Sequence, residues 1–357
     1  MNGRAERIQV NIEGLAALPG LLLAWYGENA RDLPWRRDRE PYRILVSEIM
    51  LQQTRAEVVK DYYPRFLEAL PTLGALARCG EGTLLKLWEG LGYYSRARNL
   101  QKAVQKIEFG LGGRFPDTYE GLRELPGVGP YTAGALASIC FDLPVPAADG
   151  NVLRIMSRIA GFDAPIDLPA AKQSVTDALA AIYPESRRGD FTQSLMELGA
   201  VVCLPNGAPK CGACPAAELC FAKRNNAIAR LPVKSRKQPR RVEDRTVLLL
   251  VCEGRIALRR REGEGLLGGL WELPNVPGAL DAQAVLDLAA QWETEPLALT
   301  RRFSRAHVFT HIRWEMTCCA VECGARSHSF VWAGRGELER EYALPSAFRK
   351  LLEGLYD

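Results

Sequence analysis

The sequence has no apolar run approaching the roughly 18 residues of a membrane-spanning helix, so no membrane span is expected. Its first residues, MNGRAERIQVNIEG, are polar and contain no apolar core of signal-peptide length. A cytoplasmic protein is therefore expected. A strong charge of one sign is also missing. A net charge of +4 over 357 residues permits a nucleic-acid partner without demanding one. No internal repeat and no low-complexity tract is present. The length allows two or three domains with cores of their own.

Basic residues are concentrated in one place. Arg230, Lys234, Arg236, Lys237, Arg240, Arg241 and Arg245 face only Glu243 and Asp244 between positions 226 and 245. Pro232 and Pro239 lie in the same stretch, which reads as an exposed linker. Before it, apolar residues recur at helical spacing over 42–58, 83–107, 120–140 and 170–182. After it, TVLLLVCEGRIALRRR reads as two strands joined at Glu253-Gly254, and HIRWEMTCCAVEC reads as a further strand. LDAQAVLDLAAQW and SAFRKLLEGL read as helices. The expected fold is multidomain, with an all-α region over 1–225, a linker over 226–245 and a smaller α+β domain over 246–357.

Cys203, Cys211, Cys214 and Cys220 are separated by seven, two and five residues. Thiols this close together in a reducing compartment read as metal or redox ligands rather than disulfides. Four soft sulfur ligands suit zinc or an iron–sulfur cluster, and spacing alone leaves both open. The other cysteines, Cys79, Cys140, Cys252, Cys318, Cys319 and Cys323, read as packing residues.

LPGVGPYTAGALA, residues 125–137, sets Gly127 and Gly129 between helical segments. Glycine permits the tight turn. The free N–H groups at the next helix start then suit an anion. This is the sequence form of a helix-hairpin-helix element over about 118–140, which grips DNA phosphate without reading bases. Glu48 lies in PYRILVSEIMLQQTR among Ile, Leu, Val and Met. A carboxylate in such surroundings has a raised pKa, as a general acid requires. The alternative is a surface glutamate on the helix's polar face. Asp149, in AADGNV, stands where a helix N-cap belongs.

Together these segments resemble the helix-hairpin-helix DNA glycosylase superfamily. SEIMLQQT, the longer run RDLPWRRDREPYRILVSEIMLQQTR and WEGLGYYSRARNL at 88–100 resemble MutY-type adenine DNA glycosylases. The resemblance covers nearly the whole chain and is strongest between 31 and 220. It implies a six-helix barrel module, an iron–sulfur module with a [4Fe–4S] cluster on the 203–220 loop, and a Nudix-like C-terminal domain. The first cysteine gap has seven residues where the family more often has six.

The resemblance implies removal of adenine opposite 8-oxoguanine, and opposite guanine, by hydrolysis of the N-glycosidic bond. Glu48 would protonate the base and position water. Asp149 would stabilise the positive sugar, or trap it briefly as a covalent adduct, with Tyr131 and Asn151 orienting Asp149 and the sugar. Bifunctional relatives of the endonuclease III type carry a Schiff-base lysine near position 131. Tyr131 has no amine, which points to a monofunctional enzyme. The resemblance places Arg31 and Arg36 near the adenine, and Gln53, Thr54, Leu91 and Tyr93 at the base stack or the opposite base. HVFTHI, with Phe309, Thr310 and His311, matches the loop that probes 8-oxoguanine, with Thr where the family has Ser. GEGLLGGLWELPN at 263–275 matches a loop beside that recognition site. The Nudix phosphohydrolase signature is absent, so no nucleotide hydrolysis is expected. The implied partner is double-stranded DNA containing 8-oxoguanine opposite adenine, bound by a monomer of bacterial, nucleoid-associated type. The rivals are an endonuclease III-like lyase and a non-catalytic iron–sulfur DNA-binding protein.

Overall fold

Helices form every regular element among the described residues before Arg241, and the strands all follow. The computed structural model describes residues 10–235, 239–262 and 265–352. Arg236 and Lys237 of the basic run, and Gly263 and Glu264 of the GEGLLGG segment, lie outside the described residues.

The helices run α1 (Leu18–Asn29), α2 (Pro41–Leu51), α3 (Ala56–Ala69), α4 (Leu73–Arg78), α5 (Glu81–Leu87), α6 (Ser95–Gln105) and α7 (Tyr119–Arg123). There follow α8 (Pro130–Phe141), α9 (Gly150–Ala160), α10 (Pro169–Ala181), α11 (Arg188–Val201) and the short α12 (Phe221–Arg224). Proline starts α2, α8 and α10, where a missing N–H costs nothing. The Glu40 side chain caps α2 by accepting from the N–H groups of Tyr42 and Arg43.

Besides the window over 120–140, which breaks at the expected hairpin, two of the long helical windows are broken. The first ends at Leu51, and Gln53 takes a left-handed φ of 58° before α3 begins. The window over 83–107 is interrupted by Gly90, Gly92 and Tyr93, with φ of 99°, 69° and 47°. Helical spacing of apolar residues continued across both breaks, so periodicity did not reveal them.

The chain divides into two units. The first comprises Met1–Arg78 and Arg98–Arg236. Its core joins α1, α9, α10 and α11 through Leu18, Leu22, Val152, Ile155, Met156, Val175, Phe191 and Leu198. The second comprises Cys79–Ala97 and Lys237–Asp357. It holds β1 (Arg241–Cys252), β2 (Arg255–Arg260), β3 (Trp271–Glu272), β4 (Asn275–Pro277), β5 (Pro296–Val308), β6 (Ile312–Cys323) and β7 (Val331–Ala333). The sheet order is β3-β2-β1-β6-β5, with β4 also on β1 and β7 on β2. The β1–β6 pair is parallel, and the other pairs are antiparallel.

Side chains alternate across this sheet as period two requires. Val247, Leu249, Trp314, Met316 and Cys318 face one way, with Phe348 and Leu351 of α15 (Ser346–Leu352). Leu248, Leu250, Cys319, Val321 and Cys323 face the other way, with Val285 and Ala289 of α13 (Ala282–Gln291). The remaining helix, α14, spans Arg335–Arg340. Cys318 and Cys319 thus fill opposite cores, and Cys252 and Cys323 are buried as well.

The expected boundaries differ from this division in two respects. The linker expected over 226–245 ends early, because β1 begins at Arg241 and pairs with β6 from Arg241↔Ile312 onward. Segment 79–97, expected inside the helical region, groups with the sheet. Among the described residues no helix is long and apolar enough to cross a membrane.

Candidate active site

A cavity of about 900 Å³ opens in the first unit. Glu48 reaches it from α2, Tyr131 from α8, and Asp149 and Asn151 from the start of α9. Arg31, Arg36, Gln53, Thr54, Gly127 and Gly129 line it too. Residues scattered over more than a hundred positions of sequence therefore share one wall.

Glu48 is 4% exposed. Burial pushes its pKa up to about 7; the charge of Asp149 adds to the rise, while a hydrogen bond with Tyr131 and the charge of Arg36 oppose it. Its Oε2 is buried with no hydrogen-bond partner. An unsatisfied buried oxygen of this kind is costly, and a proton or a ligand donor relieves it. Tyr131 is held neutral by burial and by the neighbouring charges of Glu48 and Asp149, which push its pKa well up.

Asp149 caps α9. Its Oδ1 accepts from Asn151 N at 2.9 Å and Val152 N at 2.8 Å, and its Oδ2 accepts from Asn151 Nδ2 at 2.8 Å. Burial raises its pKa against those hydrogen bonds. The cap and the cavity position are one feature, since capping fixes the carboxylate toward the space shared with Glu48. Gly199 lets α11 approach here; a Cβ on it would lie 2.6 Å from Asn151 Cβ.

Glu197 was not singled out by any motif. Its side chain is fully buried. Arg31 Nε lies 2.6 Å from its Oε1, Arg31 Nη2 3.0 Å from Oε2, and Arg36 Nη2 2.8 Å from Oε2. Burial alone would raise its pKa, but the Arg31 hydrogen bond and the Arg36 charge prevail and lower it. The carboxylate thus fixes both guanidinium groups at the cavity. Arg36 keeps Nη1 buried without a partner, a donor ready for a ligand acceptor. The available sequence signal was a lone glutamate in the apolar helix FTQSLMELGA, the same signal that marked Glu48.

In the hairpin only Gly127 uses the left-handed region, at φ 76°, where a Cβ would also meet Asn99 at 2.6 Å. Gly129 instead has extended backbone and caps α8. Gln53 is exposed and Thr54 half-buried on the turn after α2.

Cys203, Cys211, Cys214 and Cys220 line a single small cavity with Ile155, Ile159, Leu198 and Val202. Arg158 donates to Cys203 Sγ at 3.3 Å, and Arg154 donates to Cys203 O at 2.9 Å and to Asn151 Oδ1 at 2.9 Å. Among the described residues no three His, Cys, Asp or Glu side chains are arranged to hold a single metal ion.

The sequence model of the HhH-GPD superfamily of base excision DNA repair proteins matches residues 46–177, and a NUDIX domain model matches 246–354. The adenine DNA glycosylase of Rattus norvegicus is 35% identical over 362 residues, covering 85% of this chain and 70% of the relative. That of Homo sapiens is 34% identical, covering 85% and 66%. The chain belongs to the adenine DNA glycosylase family. A thermostable thymine-DNA glycosylase has the same helical fold, with a TM-score of 0.55 and 26% identity over 60% of this chain and all of its own. An endonuclease III in complex with DNA shares the fold at a TM-score of 0.52 and 22% identity, over 61% of this chain and 99% of its own. The chain is a DNA glycosylase, and its substrate is DNA.

The second unit of the glycosylase holds the remaining expected residues. Phe309, Thr310 and His311 form the turn between β5 and β6, not a strand. Phe309 is half-buried, with its ring centroid 4.6 Å from His307 and 4.9 Å from Trp314. Thr310 and His311 are exposed. Tyr93 is 46% exposed, and its hydroxyl lies 2.9 Å from Thr310 Oγ1. Leu91, expected at the base stack, is only 6% exposed. Its carbonyl accepts from Arg96 Nη2 at 2.9 Å, and the loop closes around it.

Proposed function

We propose that the chain excises adenine paired with 8-oxoguanine, or with guanine, from duplex DNA by hydrolysis of the N-glycosidic bond, as a cytoplasmic monomer. The observation that carries this reading is the shared cavity. A buried glutamate with a pKa near 7 faces a capped aspartate across a tyrosine, with an unpartnered guanidinium nitrogen beside them.

The target adenine leaves the stack and enters the cavity. Arg36, held through Nη2 by Glu197, offers its Nη1 as a hydrogen-bond donor to a base acceptor. Glu48 gives its proton to a ring nitrogen, turning a poor leaving group into a neutral base. Positive charge grows on the sugar as the bond breaks. Asp149 meets it with its carboxylate, fixed by three hydrogen bonds. Glu48, now ionised, takes a proton from the water that completes hydrolysis. Tyr131 orients the two carboxylates and offers no amine for a Schiff base, so the strand stays intact.

The hairpin backbone at Gly127 and Gly129 holds phosphate, and Gln53 and Thr54 approach the stack. The turn with Thr310 and His311, with Tyr93, reads the opposite base. The four thiols that wall one cavity are the donor set that a thiolate-bound [4Fe–4S] cluster takes. When bound, that cluster would cross-link and stiffen the 203–220 loop. Arg158 and Arg154 tie the same loop to α9, whose first turn Asp149 caps.

The test uses an end-labelled duplex with adenine opposite 8-oxoguanine. Strand breakage at that adenine only after hot alkali supports a monofunctional adenine glycosylase. Breakage without alkali, with borohydride trapping of protein on DNA, overturns it in favour of the lyase.

A further inference from the structure

The loop carrying Tyr93 is anchored by a charge cluster around a buried carboxylate. Glu89 follows Trp88, the C-cap of α5, and its side chain is 7% exposed. Its Oε2 lies 2.6 Å from Lys86 Nζ and 2.6 Å from Arg349 Nη1 of α15. Its Oε1 accepts from Leu344 N at 2.9 Å. Lys86 also donates to the carbonyls of Leu338 and Tyr342, each at 3.2 Å. One carboxylate thus ends an amide, an ammonium and a guanidinium together.

The other end of the loop is tied as firmly. Trp88 is fully buried, and its Nε1 donates to Gly92 O at 3.1 Å. Arg96 donates to the carbonyls of Leu91 and Gly92 and lies over the rings of Trp88 and Tyr93. Tyr93 itself takes a left-handed backbone at φ 47°, which a bulky residue adopts only when its surroundings enforce it. Its hydroxyl then reaches Thr310.

We propose that Glu89 is a positioning residue for opposite-base selection: its contacts with Lys86, Arg349 and Leu344 hold the 88–96 loop on the sheet unit, so that Tyr93 stands beside Thr310. The inference rests on the proposed role of that turn in reading 8-oxoguanine. Removing one member of a buried charge group leaves its partners uncompensated. The loop then loses its fixed attachment, while the adenine cavity keeps all of its own residues.

The experiment compares the full-length wild type with Glu89→Gln, Arg349→Met and Arg349→Lys. Single-turnover excision of adenine is measured at saturating enzyme, opposite 8-oxoguanine and opposite guanine. The wild type should favour 8-oxoguanine. Glu89→Gln should lower that preference by about tenfold, as loss of a buried charge partner permits, and Arg349→Met, which removes a half-exposed partner, by about threefold, both with the rate opposite guanine unchanged. Arg349→Lys should restore most of it. Arg349 is half-exposed, so its variants keep the test valid if Glu89→Gln fails to fold. An unaltered preference in folded Arg349→Met overturns the inference alone, as does an equal fall on both substrates. Absence of preference in the wild type overturns the reading on which it rests.

Discussion

In the proposed reaction the cavity around Glu48 and the turn around Thr310 work with opposite exposures. In the cavity, Glu48 and Glu197 are buried and Asp149 is locked by hydrogen bonds from its own helix. At the turn, Thr310 and His311 stand in solvent, and the order lies behind them, in Trp314, Phe309 and the Glu89 cluster. Desolvation makes the difference useful. Burial lifts a carboxylate to a pKa near neutrality, so it can donate a proton. A probe for the opposite base must instead meet DNA directly, so its polar atoms remain outside the core.

The comparison can be broken most severely at the proton donor. Glu48→Gln should lower the rate of base release by about 10³-fold or more, while a gel-shift assay shows DNA binding retained. Next is the buried anchor. Glu197→Ala should destabilise the first unit by roughly 3–5 kcal/mol, since it leaves the Arg31 and Arg36 charges without their carboxylate. Chemical denaturation measures this directly.

The third prediction concerns pH. Glu48 has a folded pKa of about 7 against an unfolded value near 4.5. Between those values the native state binds more protons than the unfolded one, so stability falls as pH rises from 4.5 to 7. Above pH 7 the whole contribution has been lost. Glu48→Gln removes this loss and should be more stable than the wild type at pH 8, by roughly 3 kcal/mol at most. Melting both proteins at pH 5 and pH 8 checks the sign. The smallest effect belongs to the exposed turn. Thr310→Ala should lower 8-oxoguanine preference by about three- to tenfold, the worth of one hydrogen bond, and should leave stability unchanged.

The same contrast governs how far the sequence could be read. Glu48 and Asp149 were visible because a carboxylate in an apolar helix and an Asp before a helix start are unusual placements with stated physical reasons. The hairpin glycines and the four cysteines were visible through spacing. Glu197 was missed because its meaning depends on Arg31 and Arg36, which lie about 160 residues earlier. Leu91 looked available to DNA, but the left-handed turns around it fold it inward. The grouping of residues 79–97 with the sheet depends on long-range contacts of Lys86 and Glu89 that no local pattern carries. Strand β5 was not anticipated because most of its residues are exposed, which blurs the two-residue alternation.

The central claim is that a protonated, buried Glu48 starts the reaction. Its most direct test is the pH dependence of single-turnover adenine release from a duplex with adenine opposite 8-oxoguanine. The predicted rate falls as pH rises through about 7, where Glu48 ionises, and falls again in acid, where Asp149, its pKa raised by burial, loses its charge. A rate unchanged from pH 5 to pH 9, with Glu48 intact and the protein folded throughout, would contradict it.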